Sequence, residues 1–175
     1  MHDDVTRKIT VSATPWAAWV ALTDPAIIAG WFGDSAQVDL RVGGSVRFTW
    51  PAGEVSQGVV VTAEEPTRFA FRWDVFGTIT DPTRFTTVEF TIRPVAAGTT
   101  VQVRETGLRA LVEAGIAPNA EDLVEEHVDG WRNEMADLAT LLESRPPATH
   151  TDLDASTPRA SAIGPVPQPD AGRAR

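Results

Sequence analysis

Val124, Val128, Trp131, Met135, Leu138 and Leu142 are spaced four, three, four, three and four residues apart. That spacing lays them along one stripe of an α-helix. Asn119 can cap this helix, and Glu121 and Asp122 complement the positive end of its dipole. The predicted helix runs from near Ala120 to about Glu143. Its opposite face carries Glu121, Asp122, Glu125, Glu126 and Asp129, a solvated face. A single long helix with one apolar stripe has to be packed against another layer, and the rest of the sequence offers a sheet.

Alternation identifies the strands. Val5, Arg7, Ile9 and Val11 alternate with Thr6, Lys8 and Thr10. Two short helices follow, each opened by a cap and a proline. One begins at Thr14-Pro15 and runs to about Leu22 with Trp16 and Trp19; the other begins at Asp24-Pro25 and runs to about Trp31, ended by Gly33. Ala36, Val38 and Leu40 form the next strand, and Gly43-Gly44 marks a hairpin. Val46, Phe48 and Trp50 share a face before the turn at Pro51–Gly53. Val55 to Ala63 is a strand broken by Pro66, and Phe69, Phe71 and Trp73 alternate on the next. Residues 74–83 read as a loop. Phe85 to Val95 carries Val88, Phe90 and Ile92 on one face; Thr99 to Leu108 carries Val101, Val103 and Glu105. Residues 109–119 read as a connection. The predicted class is α+β: a curved antiparallel sheet of about seven strands, two short helices after the first, and the long C-terminal helix across its concave face. Large rings on such a sheet are expected to leave an internal pocket of roughly a few hundred Å3 under one helix.

Composition narrows the function. The 175 residues suit one domain, and the lack of cysteine excludes disulfides, thiolate metal sites and cysteine nucleophiles. Of the charged side chains, 21 acidic and 11 basic fall in residues 1–144. So acidic a domain repels phosphate backbones and anionic membrane surfaces, so neither nucleic acid nor membrane is expected as a partner. No apolar run approaches the roughly 20 residues of a membrane span. The opening MHDDVTRKITV lacks the apolar core of a signal peptide, so the expected setting is cytoplasmic. From Arg145 onward the chain is rich in proline, alanine, serine and threonine. The expected organisation is a domain over 1–144 and a disordered tail over 145–175, with deletion of residues 148–175 barely moving the melting midpoint.

The stretches PWAAWVALTDPAIIAGWFG, DLRVGGSVRF, RFAFRW, TTVEFTIRPVAAGTTVQVRETGL and EEHVDGWRNEMADLATLLES resemble the SRPBCC or START-like superfamily. Within it they resemble the branch named after the heat shock protein 90 ATPase activator. The resemblance covers residues 5 to 144. It implies a helix-grip fold, as in START and Bet v-like proteins, with a deep cavity for hydrophobic small molecules. Superfamily members include aromatase/cyclases, hydrolases and lipid carriers. The branch name also implies a stress-response chaperone partner, although true activators of that chaperone carry a further N-terminal domain not seen here.

The candidate site gathers Trp31, Trp50, Phe71, Trp73, Phe90, Glu105, His127 and Trp131. The tryptophans could line a cavity or fill it as ordinary core. His127 lies at the edge of the helix stripe and could be a hydrogen bonder, a general base, or a satisfied edge histidine. Glu105 falls in phase with Val101 and Val103 and should point inward with them, unless the strand has already ended at the rim. Arg72 and Glu89 read as an exposed cross-strand pair. No histidine pair or carboxylate cluster has metal-ligand spacing, and no phosphate loop, nucleophile elbow or dinucleotide fingerprint occurs, so neither metal nor cofactor is expected. Three functions fit: a non-catalytic carrier or sensor of an apolar or aromatic small molecule; a cyclase or hydrolase using Glu105 and His127; and a chaperone-associated protein. A protein partner or homodimer is compatible with each.

Overall fold

The computed structural model describes residues 4–77 and 79–144. The predicted tail lies outside the described residues. Seven strands, β1 (Val5–Val11), β2 (Ser35–Val38), β3 (Ser45–Thr49), β4 (Val55–Glu64), β5 (Arg68–Trp73), β6 (Thr86–Val95) and β7 (Gly98–Thr106), form one sheet in the order β1-β7-β6-β5-β4-β3-β2. Every neighbouring pair is antiparallel, as the hairpin spacings require. The helices are α1 (Pro15–Thr23), α2 (Pro25–Ile28), α3 (Leu108–Glu113) and α4 (Ala120–Ser144). The caps read from the sequence are made: Thr14 accepts from the amide of Ala17, Asp24 from Ala26 and Asn119 from Glu121.

Helix α3 falls where a plain connection is expected. It starts at Gly107, whose φ of 98° suits glycine alone, and it buries Leu108 and Leu111 beside α4. At the start of α4 Leu123 is buried, while Val124 and Val128 of the expected stripe are half-buried; Trp131, Met135, Leu138 and Leu142 are buried as the stripe predicts.

The interior is filled by rings. Phe32, just past α2, lies flat on Trp131 at 5.5 Å and 8°, and meets Phe48 at 5.0 Å, Trp50 at 5.6 Å and Trp73 at 5.8 Å. The void enclosed by Leu22, Ile28, Trp31, Phe32 and the phenylalanines of the sheet holds about 10 Å3, room for about one water. Among the described residues this void is far smaller than the pocket of roughly a few hundred Å3 expected between helix and sheet. The second short helix, read from the sequence as a separate element, delivers Trp31 and Phe32 into the gap between α4 and the sheet.

Gly58 of β4 faces Trp73 of β5 so closely that a Cβ there would lie 1.9 Å from the carbonyl oxygen of Arg72. Gly58→Ala is expected to push β4 and β5 apart and cost roughly 1–3 kcal/mol, as overpacking does. Urea unfolding reads this directly, and an unchanged midpoint would refute the tight approach.

Candidate functional site

Three adjacent strands and one helix converge on Glu105. It sits one residue before the end of β7, opposite Val88 of β6 and Val5 of β1. Its side chain is wholly buried, as the phase with Val101 and Val103 predicts. Trp73 ends β5 and faces Thr86, which opens β6. On α4, His127 and Trp131 stand one turn apart and face the same way.

These residues saturate the carboxylate. Oε1 accepts from Trp73 Nε1 at 3.0 Å and Thr86 Oγ1 at 2.7 Å. Oε2 meets His127 Nδ1 at 2.8 Å and accepts from Trp131 Nε1 at 2.7 Å. One oxygen thus serves the sheet and the other the helix. A buried carboxylate needs this many donors to remain ionised. Burial alone would raise its pKa, but the hydrogen bond and charge of His127, with the bonds from Trp131 and Thr86, hold it below the ordinary carboxylate value. Burial lowers the imidazole pKa, and the hydrogen bond and charge of Glu105, helped by Glu126, more than reverse that. With an ionised carboxylate opposite, Nδ1 carries the hydrogen, and Nε2 can accept or, once protonated, donate.

His127 borders two clefts open to solvent. One, of about 180 Å3, is lined by Phe32, Trp50, Trp73, Glu126, His127, Gly130, Trp131 and Glu134. The other, of about 370 Å3, shares Trp50, Trp73 and His127 and adds Glu54, Val55, Ser56, Val75 and Phe76. Buried Asp74 shapes the second cleft by accepting from the amides of Phe76 and Ile79, which folds the turn carrying Phe76.

Not all the expected site residues meet. Trp50, Trp73, His127 and Trp131 share the cleft beside the middle of α4, and Glu105 lies directly behind it. Trp31, Phe71 and Phe90 belong to the packed interior, where Trp31 donates to the carbonyl of Ala21. The expected Arg72–Glu89 pair is not formed. Glu89 takes Arg68 at 2.8 Å, while Arg72 donates to the carbonyls of Pro82, Thr83 and Phe85. Glu89 lies opposite Ala70, so both arginines are diagonal to it, and alternation alone does not choose between them. Sequence reasoning missed Phe32, Thr86, Phe76, Glu126 and Glu134 as site residues. Thr86 was legible, because it shares the inward phase of Val88 and Phe90.

Glu134 gives the site a pH dependence. Burial, reinforced by the charge of Asp137, pushes its carboxyl up to about 7. The folded state therefore holds this proton more tightly than the unfolded chain, so Glu134 costs stability as pH rises from the ordinary carboxylate range through about 7. His127 adds to the fall. Its raised pKa stabilises the fold below the unfolded histidine value and ceases to do so as pH passes the folded one. The melting midpoint is expected to fall between pH 5 and pH 8, and Glu134→Gln to flatten part of that fall. A pH profile identical for the two proteins would refute this.

Among the described residues no group of three or more His, Cys, Asp or Glu side chains could hold a metal ion. No helix among them is long and apolar enough to cross a membrane.

A family model described as Activator of Hsp90 ATPase homolog 1-like protein matches residues 12–143. Among solved structures, protein MLL2253 from Mesorhizobium loti is 22% identical with a TM-score of 0.68, covering 82% of this chain and 98% of that one. DynU16, a protein of the dynemicin biosynthetic locus, is 27% identical with a TM-score of 0.66; the match covers 84% of this chain but 49% of that one. The Aha1 dimer from Colwellia psychrerythraea is 16% identical with a TM-score of 0.66, over 81% of this chain and 96% of that one. A search of curated proteins finds no match.

Proposed function

Because the chain belongs to the Activator of Hsp90 ATPase homolog 1-like family and has its helix-grip fold, we propose that it binds a small molecule with an aromatic or apolar body in the paired clefts beside α4, as a carrier or sensor. Trp50, Trp73 and Trp131 supply apolar walls, and His127 is the polar contact shared by both clefts, beside Glu126 and Glu134 in one and Glu54 and Ser56 in the other. The observation that carries this reading is the lock on His127: Glu105 holds Nδ1 at 2.8 Å, so the ring presents a fixed edge to clefts walled by indoles. The site is an open cleft beside the middle of α4, and the packed rings beneath it serve as its floor. The likeness to DynU16, which comes from a biosynthetic locus, is in keeping with small-molecule chemistry.

The test is a panel of aromatic and apolar compounds followed by tryptophan fluorescence and melting. A bound compound is expected to stabilise the fold by mass action, about 2.7 kcal/mol at 100 times its dissociation constant. His127→Ala should weaken compounds that carry a hydrogen-bonding group and leave plain hydrocarbons almost unaffected. A panel in which no compound moves either signal would sink the proposal. Native mass spectrometry of the purified protein gives an independent reading through any co-purifying small molecule.

The same contact favours a second reading, an acid–base enzyme of cyclase or hydrolase type. A buried carboxylate orienting a histidine beside a solvent-filled cleft is the arrangement in which Nε2 exchanges a proton with a substrate. Here His127 would be the catalytic residue and Glu105 its positioning partner. Exchange of an acidic C–H of a bound compound in deuterated water, abolished by His127→Gln while binding survives, separates this reading from the carrier.

A further inference from the structure

We propose that the ligand of this cleft is an organic cation: a quaternary or tertiary ammonium group carried on an aromatic or apolar body. The inference rests on the binding reading above and adds the sign of the ligand's charge.

Three features of the walls lead to it. Phe32, Trp50, Trp73 and Trp131 border the cleft together, with successive centroid separations of 5.6, 6.0 and 6.4 Å from Phe32 to Trp50, Trp50 to Trp73 and Trp73 to Trp131. Several rings around one opening suit a cation, because each aromatic face is the negative side of its quadrupole. Apart from His127, the charged groups of the walls are all acidic. Glu126 and Glu134 line the helix side and Glu54 the strand side; neither cleft has a lysine or arginine among its lining residues. An anionic ligand would meet these carboxylates with His127 as its one cationic contact.

The third feature is where the indole N–H groups point. Trp73 and Trp131 both donate inward to Glu105. Their donor edges are thus occupied and cannot bond a ligand, and Trp50, the half-buried ring of the four, offers the cleft most of its aromatic surface. An N–H bonded to a carboxylate also polarises its ring and makes the face more negative. The positive charge of His127 does not oppose this, since the Glu105 carboxylate 2.8 Å away balances it. Glu134, whose carboxyl is pushed up to about 7 by burial and by Asp137, forms no ion pair among the described residues, and an ammonium group would supply its counter-charge.

Three probes of similar shape test the sign: benzyltrimethylammonium, its uncharged isostere neopentylbenzene, and phenylacetate. Binding is read by tryptophan fluorescence at low salt and at about pH 8, where the Glu134 carboxyl is ionised, on the full-length protein. The cation is expected to bind roughly tenfold more tightly than the isostere, within the range of cation–π contacts plus a nearby carboxylate. The double variant Glu126→Gln, Glu134→Gln keeps the shape of the cleft. It should remove most of that preference and leave neopentylbenzene unchanged. Equal binding of cation and isostere, or tighter binding of phenylacetate, would overturn the cation assignment while leaving the cleft a ligand site. If none of the three binds, the cation assignment falls, and the compound panel decides the binding proposal separately.

Discussion

Replacing Glu105 by leucine is expected to cost roughly 3–5 kcal/mol of folding stability, the usual penalty for removing one partner of a buried charged pair. Leucine fills much of the same space, so the loss comes from the donors left behind. Trp73 Nε1, Thr86 Oγ1, Trp131 Nε1 and His127 Nδ1 would all lose their acceptor inside the fold. Glu105→Gln should fall between the two proteins, because the amide keeps one accepting oxygen but turns an NH2 toward two existing donors. Thermal unfolding should place the leucine variant about 10 °C or more below the parent. A midpoint within two or three degrees would show that the four bonds contribute little net stability.

Trp131→Ala is the second large effect, expected at about 3–5 kcal/mol for a truncated buried indole. This ring stacks on Phe32, meets Phe90 edge-on at 5.8 Å and donates to Glu105. It is also a wall of the cleft, so binding of aromatic compounds should be lost along with stability. Trp131→Phe separates the two roles. It retains most of the ring packing, removes the donor, and should cost about 1–3 kcal/mol, the range for a hydrogen bond to a charged group. If the phenylalanine variant proves as unstable as the alanine one, the hydrogen bond dominates; if it matches the parent, the packing does.

Much of this was legible in the sequence for a simple reason: strand alternation and helix periodicity are local. Glu105 points inward because Val101 and Val103 do, and His127 lies at the stripe's edge because of its angle from Val124. What escaped depends on non-local packing. Periodicity cannot tell how far Trp31 and Phe32 reach, and their reach fills the space between helix and sheet and leaves a cleft beside the middle of α4. The partner of Glu89 depends on the β5–β6 register, and α3, a six-residue helix, is too short to announce itself by periodicity.

The division of the Glu105 oxygens between sheet and helix has a consequence for alignment. A stripe spaced four, three, four, three repeats itself almost unchanged when the helix slides by one turn, so apolar packing alone discriminates weakly between neighbouring positions. The carboxylate breaks that near-symmetry. Slid one turn one way, α4 would offer Oε2 Leu123 and His127; slid the other way, Trp131 and Met135. Each alternative supplies one donor where the native alignment supplies two. Glu105 therefore acts as an index mark, giving a ruler of nearly identical divisions a single zero.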